Sequence, residues 1–189
     1  EANLPRVEHA EKPTPGAQEE DSFSQYYSSD IPKNKEKKPS AVKLKGEKLL
    51  HADMQITEVV IPVKETLAKA RSYSVSITVL LTAMLLCSIH EEIPKNRQKK
   101  PVALMIPVNL RNYFPSQSMG NFFGWIEVGY TFSDETTFQD VLYDVKKQFK
   151  EKLAKDKIAM DMNGYVRLEK NPVIRAVPLE IKRYFMMAG

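Results

Sequence analysis

The middle of the chain carries two helical patterns of hydrophobic and polar positions. Pro62 opens a short predicted helix over residues 62–71, since proline is tolerated at the first helical position. In the next predicted helix, residues 76–92, apolar side chains cover nearly the whole circumference. A helix that is apolar on all sides is typical of a central position, so this one is expected to be the most buried.

Predicted strands flank and follow these helices. Residues 102–109 form a continuous apolar run, typical of an interior strand covered on both faces, in which Pro107 is expected to mark a bulge or the end of pairing. Residues 124–132 alternate and predict the next strand. Upstream, β-rich stretches predict two more strands near 41–45 and 52–61, compatible with a hairpin.

The last third of the chain is predicted to be helical. A T-x-x-Q capping box at Thr136 and Gln139 precedes apolar residues at helical spacing. A weaker helix is predicted over roughly 157–170, with Asn163–Gly164 as a candidate break. A connector and a final helix from Pro178 follow. Because strands alternate with helices, the expected class is α/β or α+β, with a mixed sheet and layered helices.

The first 40 residues have a different composition. Their prolines, glutamates, lysines and serines predict a linker, largely extended or disordered over residues 1–40, while residues 41–189 form the folded part. "DSFSQYY", residues 21–27, is expected to dock on the body as a short helical turn. The chain starts without methionine and stops within an apolar helical pattern, which predicts a piece of a larger protein.

Charge is unevenly spread over a net +4. Residues 1–24 carry six acids and two bases, and residues 33–48 carry seven lysines and two glutamates. The lysine-rich segments at 33–48 and 95–100 lack interleaved aromatic residues or a recognition motif. A solvated linker and a solvated loop are therefore the preferred interpretation, and no nucleic-acid partner is expected.

The single cysteine bears on the cellular compartment. With Cys87 alone, no disulfide can form within the chain, which fits a reducing compartment and predicts a cytoplasmic protein. The longest apolar stretch, residues 75–89, is shorter than the roughly 20 residues of a membrane-spanning helix, so no span is expected.

Few residues carry a readable chemistry. The three histidines, His9, His51 and His90, are scattered, and together with one cysteine they give no metal site and no catalytic relay. The glycines fit no phosphate-binding loop. What remains is Arg111 at the end of an apolar strand, where its fork of donors suits a carboxylate. A structural and a functional role for Arg111 stay open on this ground alone.

Three stretches together resemble a known family. "YSVSITVLLTAMLLCSIHE", "PVNLRNYFP" and "MGNFFGWIEVGYTF" are similar to the alcohol acetyltransferase-like branch of the CoA-dependent acyltransferase superfamily. That superfamily includes chloramphenicol acetyltransferase, the condensation domains of nonribosomal peptide synthetases and wax ester synthases. The likeness covers about residues 20–189.

The resemblance implies a fold and a division of labour. Members have two similar α/β subdomains with an active-site tunnel between them, and an H-H-x-x-x-D-G motif ends the first subdomain. Its second histidine is the general base. This chain has no His-His pair, so it is expected to be an incomplete second subdomain with no catalytic residue of its own, inactive alone.

The resemblance also assigns roles to four residues. Arg111 would support the active site by pairing with the aspartate of the histidine motif. Gly120, Asn121 and Phe122 would line the tunnel for substrate and CoA. In this chain, without that aspartate, the Arg111 guanidinium is expected to be solvent-exposed or to borrow a carboxylate from a neighbouring molecule.

The expected reaction is transfer of an acyl group from acyl-CoA, such as acetyl-CoA, to a hydroxyl or amine acceptor, with no bound cofactor. The implied partners are the missing N-terminal subdomain, acyl-CoA and the small-molecule acceptor. The resemblance also allows a homodimer through the exposed inter-subdomain face. The alternative is a non-catalytic acyltransferase-like module that binds a carrier protein or another partner.

Overall fold

Seven α-helices and two β-strands form the part of the chain that the structure, a computed structural model, describes. This part comprises residues 16–17, 19–32, 34, 39–44, 56 and 58–188, with side chains as far as residue 183. The elements in chain order are α1 (Ser22–Gln25), α2 (Val63–Ser72), α3 (Ile77–Glu92), β1 (Val102–Asn109), β2 (Phe123–Tyr130), α4 (Phe138–Lys152), α5 (Lys155–Lys170), α6 (Pro172–Ala176) and α7 (Leu179–Ala188).

The chain divides into two units. The first unit draws on Glu1–Lys35, Pro107–Trp125 and Lys155–Gly189, and it contains α1, α5, α6, α7 and the loop between the strands. The second unit draws on Glu36–Ile106 and Ile126–Ala154, and it contains α2, α3 and α4. The residues of β1 and β2 are shared between the two units.

The strands pair as a two-stranded antiparallel sheet. The Leu110 amide donates to the Phe122 carbonyl at 3.2 Å, next to the loop end of the pair. The alternation of an antiparallel ladder then turns the nitrogen of Pro107 away from β2. Proline therefore costs no bond between the strands, and β1 continues through it to Asn109.

Coverage of β1 differs from the sequence prediction. Val102 and Val108 are buried, but Met105 between them is 65% exposed. The prediction of a strand covered on both faces is therefore wrong. A continuous apolar run records only which side chains could be buried, and on the face that carries Met105 the residues Pro107 and Asn109 are exposed as well.

Helix α4 covers the outer edge of β2. The Gln148 side chain accepts from the Gly129 amide at 3.2 Å and donates to the Gly129 carbonyl at 2.6 Å. Lys152 Nζ donates to the Glu127 carbonyl at 2.5 Å. These contacts satisfy backbone groups that would otherwise form an unpaired sheet edge. On its other side Gly129 approaches β1 so closely that a Cβ would lie 2.8 Å from the Val102 carbonyl oxygen.

The core of the second unit lies between α3 and α4, which pack on each other. Ala83 and Leu86 of α3 and Val141 and Val145 of α4 are fully buried. Helix α3 has more buried residues than α4 or α5, as predicted, but one face is open: three residues at helical spacing are 40–50% exposed, namely Leu81, Met84 and Leu85. The sequence is apolar on every side, yet described neighbours cover only one.

Local contacts shift several predicted boundaries. The capping box of α4 uses Thr137 and Asp140, because the Thr136 hydroxyl is already occupied by the Ser133 amide. The predicted break at Asn163–Gly164 is wrong, since α5 runs through it. Part of the predicted connector, residues 172–176, forms α6.

The first unit is built on α5. Asn163, fully buried, accepts from the Ser28 amide at 2.7 Å and donates to the Ala159 carbonyl within α5 at 2.8 Å. Arg167 Nη2 donates to the carbonyls of Ser29 and Ile31. These bonds hold the segment after α1 on α5. The short helical turn predicted within residues 21–27 is confirmed as α1.

The class of mixed helices and strands is confirmed, with one two-stranded sheet among the described residues. Of the further strands predicted near 41–45 and 52–61, residues 41–44, 56 and 58–61 are not in strands, and the remainder lie outside the described residues. Most of the predicted linker, including residues 1–15 and 35–38, also lies outside them, so its disorder stays a prediction.

Helices α2 and α3 are the only pair of described helices with the combined length and hydropathy of a membrane span. In the described ranges, neither they nor any other single helix is long and apolar enough to cross a bilayer. The two reach that length and hydropathy only together, and they are bent by 87° relative to each other.

Candidate functional site

The loop between β1 and β2 carries all four residues assigned by the resemblance. It leaves β1 through a short 3₁₀ turn, Leu110–Asn112, in which the Asn109 side chain accepts from the Arg111 amide at 3.1 Å. Leu110, 2% exposed, then anchors the turn in the core of the first unit. The bond from Leu110 to Phe122 closes the loop at its base.

Arg111 binds the far side of this loop. Its Nη2 donates to the carbonyls of Ser118 and Gly120 at 2.8 Å and 2.7 Å. The guanidinium carbon lies 6.0 Å from the ring centroid of Phe122. One nitrogen of the guanidinium therefore ties two backbone oxygens to the end of β1. Both acceptors are neutral, so the contacts fix the side chain without compensating its charge.

The expectation for Arg111 needs correction. Its side chain is half-buried and bonded within its own loop, so the predicted solvent exposure is wrong, while a carboxylate from a neighbouring molecule stays a prediction. In the described part of the chain no carboxylate pairs with it, and its Nε and Nη1 have no hydrogen-bond partner there. The guanidinium thus combines a structural contact on Nη2 with two unused donor groups.

Phe122 is a core residue. It is 2% exposed and meets Phe23 of α1 edge-to-face, with ring centroids 5.0 Å apart. Tyr26 stacks beside it at 6.2 Å and donates its hydroxyl to the Pro115 carbonyl. Phe23 and Tyr26 of "DSFSQYY" therefore cover the loop and bury Phe122 on this side.

Gly120 and Asn121 lie on the exposed side of the same loop. The Gly120 amide donates to Ser118 Oγ at 3.1 Å, and a Cβ at Gly120 would come within 3.3 Å of that oxygen. Asn121 presents its side-chain amide at the surface. The structure thus brings Arg111 and Gly120 into contact, leaves Asn121 accessible beside them, and directs Phe122 inward.

Two serines outside the predicted site, Ser116 and Ser118, organise this loop through their hydroxyl groups. Ser116 Oγ accepts from the Ser118 amide at 3.1 Å and lies 2.5 Å from Ser22 Oγ of α1. Ser22 is itself buried. The Ser-x-Ser spacing in "PSQS" is a recognisable signal for such local turns, but the contact with α1 has no signature in the sequence.

A second arrangement in the first unit involves the only tryptophan. Trp125 stacks on Tyr165 of α5, with ring centroids 4.5 Å apart and planes 24° apart. Burial raises the pKa of Tyr165 to about 12, and the negative charge of Asp161 adds to the shift. Tyr165 also lines an open pocket of about 490 Å³ on α5 and α6.

The second unit contains the cysteine and the one described histidine, His90. Burial, with a contribution from the charge of Glu91, raises the pKa of the Cys87 thiol. His90 stacks on Phe132 at 3.9 Å, which suits a structural role. Within the described ranges no group of three or more His, Cys, Asp or Glu residues could hold a metal ion.

Comparison of the chain with protein-family models, with curated proteins and with solved structures found no match.

Proposed function

We propose that this chain is part of an acyl-CoA-dependent acyltransferase of the alcohol acetyltransferase-like kind, with a chloramphenicol-acetyltransferase-like second subdomain. The complete enzyme would transfer an acyl group from a CoA thioester to a hydroxyl or amine acceptor in the cytoplasm. The three sequence stretches that resemble this branch support the proposal. The geometry of Arg111 gives it a physical basis.

The observation that carries the proposal is the division of the Arg111 donors. Nη2 is occupied by the carbonyls of Ser118 and Gly120, while Nε and Nη1 have no partner in the described part of the chain. Nε and Nη1 lie on different edges of the planar guanidinium, so each can give a carboxylate one charge-assisted hydrogen bond. The aspartate of an H-H-x-x-x-D-G motif is the partner that the resemblance supplies.

Such a pair would act on the position of the catalytic histidine. In the proposed reaction that histidine removes the proton from the acceptor, the acceptor attacks the thioester carbonyl, and the CoA thiolate leaves and is protonated. Arg111 would donate no proton itself. Because its guanidinium is fixed by the loop, a bound aspartate and the residues before it would be held in one orientation.

The residues next to Arg111 fit the same role. Gly120 keeps its carbonyl on the guanidinium, and Asn121 offers an exposed amide to the substrate side of the loop. Phe122 has a structural role, because its packing against Phe23 of α1 fixes the end of the loop.

The test is thiol release from acetyl-CoA by the product of the natural-length gene, with a panel of alcohols and amines as acceptors. Arg111→Lys should lower kcat/KM by up to about 100-fold, since a compact ammonium cannot hold the two loop carbonyls and a carboxylate in the same planar arrangement, and the catalytic group shifts. Arg71→Lys is the matched control, because Arg71 is exposed on α2. Its activity should stay within about twofold of wild type.

Two outcomes would overturn the proposal. One is a natural-length gene without an H-H-x-x-x-D-G motif whose product releases no thiol from any acyl-CoA, which would favour the non-catalytic binding module. The other is full activity of Arg111→Lys. A blank without acceptor corrects for reaction of the protein's own thiols, including Cys87, with the thiol reagent.

A further inference from the structure

Two basic segments that are far apart in sequence meet in the second unit. The Val42 amide donates to the Pro101 carbonyl at 2.9 Å, and Arg97 Nη2 donates to the Lys43 carbonyl at 2.6 Å. These two bonds join residues 39–44 to the loop between α3 and β1. The sequence treats each segment as a separate solvated run, and only the fold brings them together.

A pocket of about 370 Å³ lies where they meet. Four of its seven lining residues are cations, and none is an acid. Two more lining residues offer neutral hydrogen-bond donors. The charged and polar lining residues are Lys43, Arg97, Lys99, Lys100, Ser40 and Asn96. The volume falls at the low end of the range of about 300–1,000 Å³ that is common for small-molecule sites.

The charge of Arg97 is held in place without being neutralised. Its side chain is half-buried, and in the described part of the chain its hydrogen-bond partner is a backbone carbonyl instead of a carboxylate. Lys99 and Lys100 follow two and three residues later and line the same pocket. The positive charges of Arg97, Lys99 and Lys100 around one small volume repel each other, so a ligand with two or more negative charges would relieve this repulsion on binding.

We infer that this pocket binds the phosphate groups of a small molecule. The planar fork of Arg97 matches the geometry of a phosphate, the lysines add point charges, and Ser40 and Asn96 add neutral donors. The lining contains no aromatic side chain on which the bases of a single-stranded nucleic acid would stack. Concave shape and small volume also favour a compact ligand over a polymer.

The inference does not depend on the acyltransferase proposal. The pocket lies in the second unit and shares no residue with the Arg111 loop. Phosphate groups can come from the nucleotide end of acyl-CoA or from an unrelated phosphorylated metabolite. Adenosine 3′,5′-bisphosphate represents the first source and pyrophosphate the second.

The experiment is calorimetric titration of the full chain with adenosine 3′,5′-bisphosphate, pyrophosphate, uncharged adenosine and an oligothymidine. The pocket variant is Lys99→Gln/Lys100→Gln. Its matched control is Lys146→Gln/Lys147→Gln, an exposed lysine pair on α4 that does not line the pocket. Neither substitution touches the bonds that join the two segments, so both variants should keep the fold by circular dichroism.

We expect both phosphorylated probes to bind, adenosine not to bind, and the pocket variant to lose about tenfold or more in affinity. The control variant should bind as wild type does. Arg97→Gln should also lose affinity. A preference for the bisphosphate identifies the nucleotide source, and equal binding of pyrophosphate identifies a general phosphate site.

Three results would overturn the inference. The first is that neither phosphorylated probe binds. The second is that the pocket and control variants lose affinity equally, which would indicate diffuse surface charge. The third is that oligothymidine binds more tightly than the bisphosphate, with a steeper dependence on salt, which would make the basic segments a nucleic-acid surface.

Discussion

Two neighbouring leucines on α3 offer a direct test of how this helix is oriented. Leu86 is 0% exposed, whereas Leu85 is 50% exposed. The two residues share the same helix, the same intrinsic helix propensity and nearly the same sequence environment. Truncation of each to alanine therefore differs mainly in the burial of the side chain.

The structure sets the expected magnitudes. Leu→Ala removes the equivalent of about three methylene groups, or about 2.4 kcal/mol of transfer free energy when the side chain is fully buried. A cavity left at Leu86 would raise the loss of unfolding free energy to about 3–5 kcal/mol. At Leu85 half of the side chain already contacts water, and water fills the space, so about 1 kcal/mol is expected.

The assay is urea unfolding followed by far-ultraviolet circular dichroism, which reports on the helices. Fluorescence of Trp125, in the first unit, provides a second probe, and coincident transitions would justify a two-state analysis. For a chain of this size the difference between the variants corresponds to a melting-temperature gap of about 4–16 °C.

An equal loss at both positions would refute the orientation of α3. It would mean that the face with Leu81 and Leu85 is covered as completely as the face with Leu86. Repeating the measurement over a range of protein concentrations would then reveal whether another copy of the chain supplies that cover. A loss below about 1 kcal/mol at Leu86 would contradict the assigned core itself.

The remaining predictions concern single sites. Gly129→Ala should destabilise the chain by about 1–3 kcal/mol, because its Cβ would lie 2.8 Å from the Val102 carbonyl oxygen. Gly164→Ala, in open space within α5, should stabilise it by about 0.5–1 kcal/mol. Parallel urea titrations of the two glycine variants should therefore give changes in unfolding free energy of opposite sign. In a titration followed by phenolate absorbance, Tyr165 should ionise near pH 12 and Tyr165→Phe should lack that step. Since the folded chain keeps the proton that the unfolded chain loses near pH 10, this contribution to stability is complete below pH 10 and falls between pH 10 and 12; unchanged stability over that interval would contradict it.

Local sequence signals predicted the longer helices and both observed strands well, but not the strands expected near 41–45 and 52–61, of which no described residue is in a strand. The bounds of β1 agree with the prediction, and α2 and α3 begin within one residue of it. These elements carry strong local information, such as Pro62 before α2 and a serine cap before α3. The capping box of α4 was misplaced by one residue because two adjacent threonines compete for the role, and only the turn at Ser133 decides between them.

Burial was harder to predict, because coverage belongs to neighbouring elements. Nothing in the α3 sequence distinguishes Leu85 from Leu86, and nothing in β1 marks Met105 as exposed. Likewise, Asn163–Gly164 is a good local signal for a break. The helix continues because the Asn163 side chain is fully buried and binds the Ser28 amide, a contact over more than a hundred residues of sequence.

The candidate sites also combine features that the sequence predicts with contacts that only the fold determines. Sequence indicated that Arg111 stands at the end of a strand, because a strand pattern precedes it directly. Its acceptors, the carbonyls of Ser118 and Gly120, could not be predicted, because every residue has a carbonyl. The basic pocket could not be predicted from the sequence for a related reason. Each lysine-rich segment alone has the composition of a solvated segment, and the hydrogen bonds of Val42 and Arg97 that join the two segments are accepted by backbone carbonyls.

Phe122 refines the proposed role of the loop. The resemblance assigns it to a tunnel, yet it is 2% exposed beneath Phe23 and Tyr26. A side chain packed edge-to-face in this way fixes the loop end, and it cannot also present its face to a substrate on the side that α1 covers. If the acyltransferase proposal holds, the substrate side of the loop must therefore be formed by Gly120, Asn121 and the unused Nε and Nη1 donors of Arg111. The segment "DSFSQYY" then has a function of its own, because by burying Phe122 it sets the position from which Arg111 can meet a carboxylate.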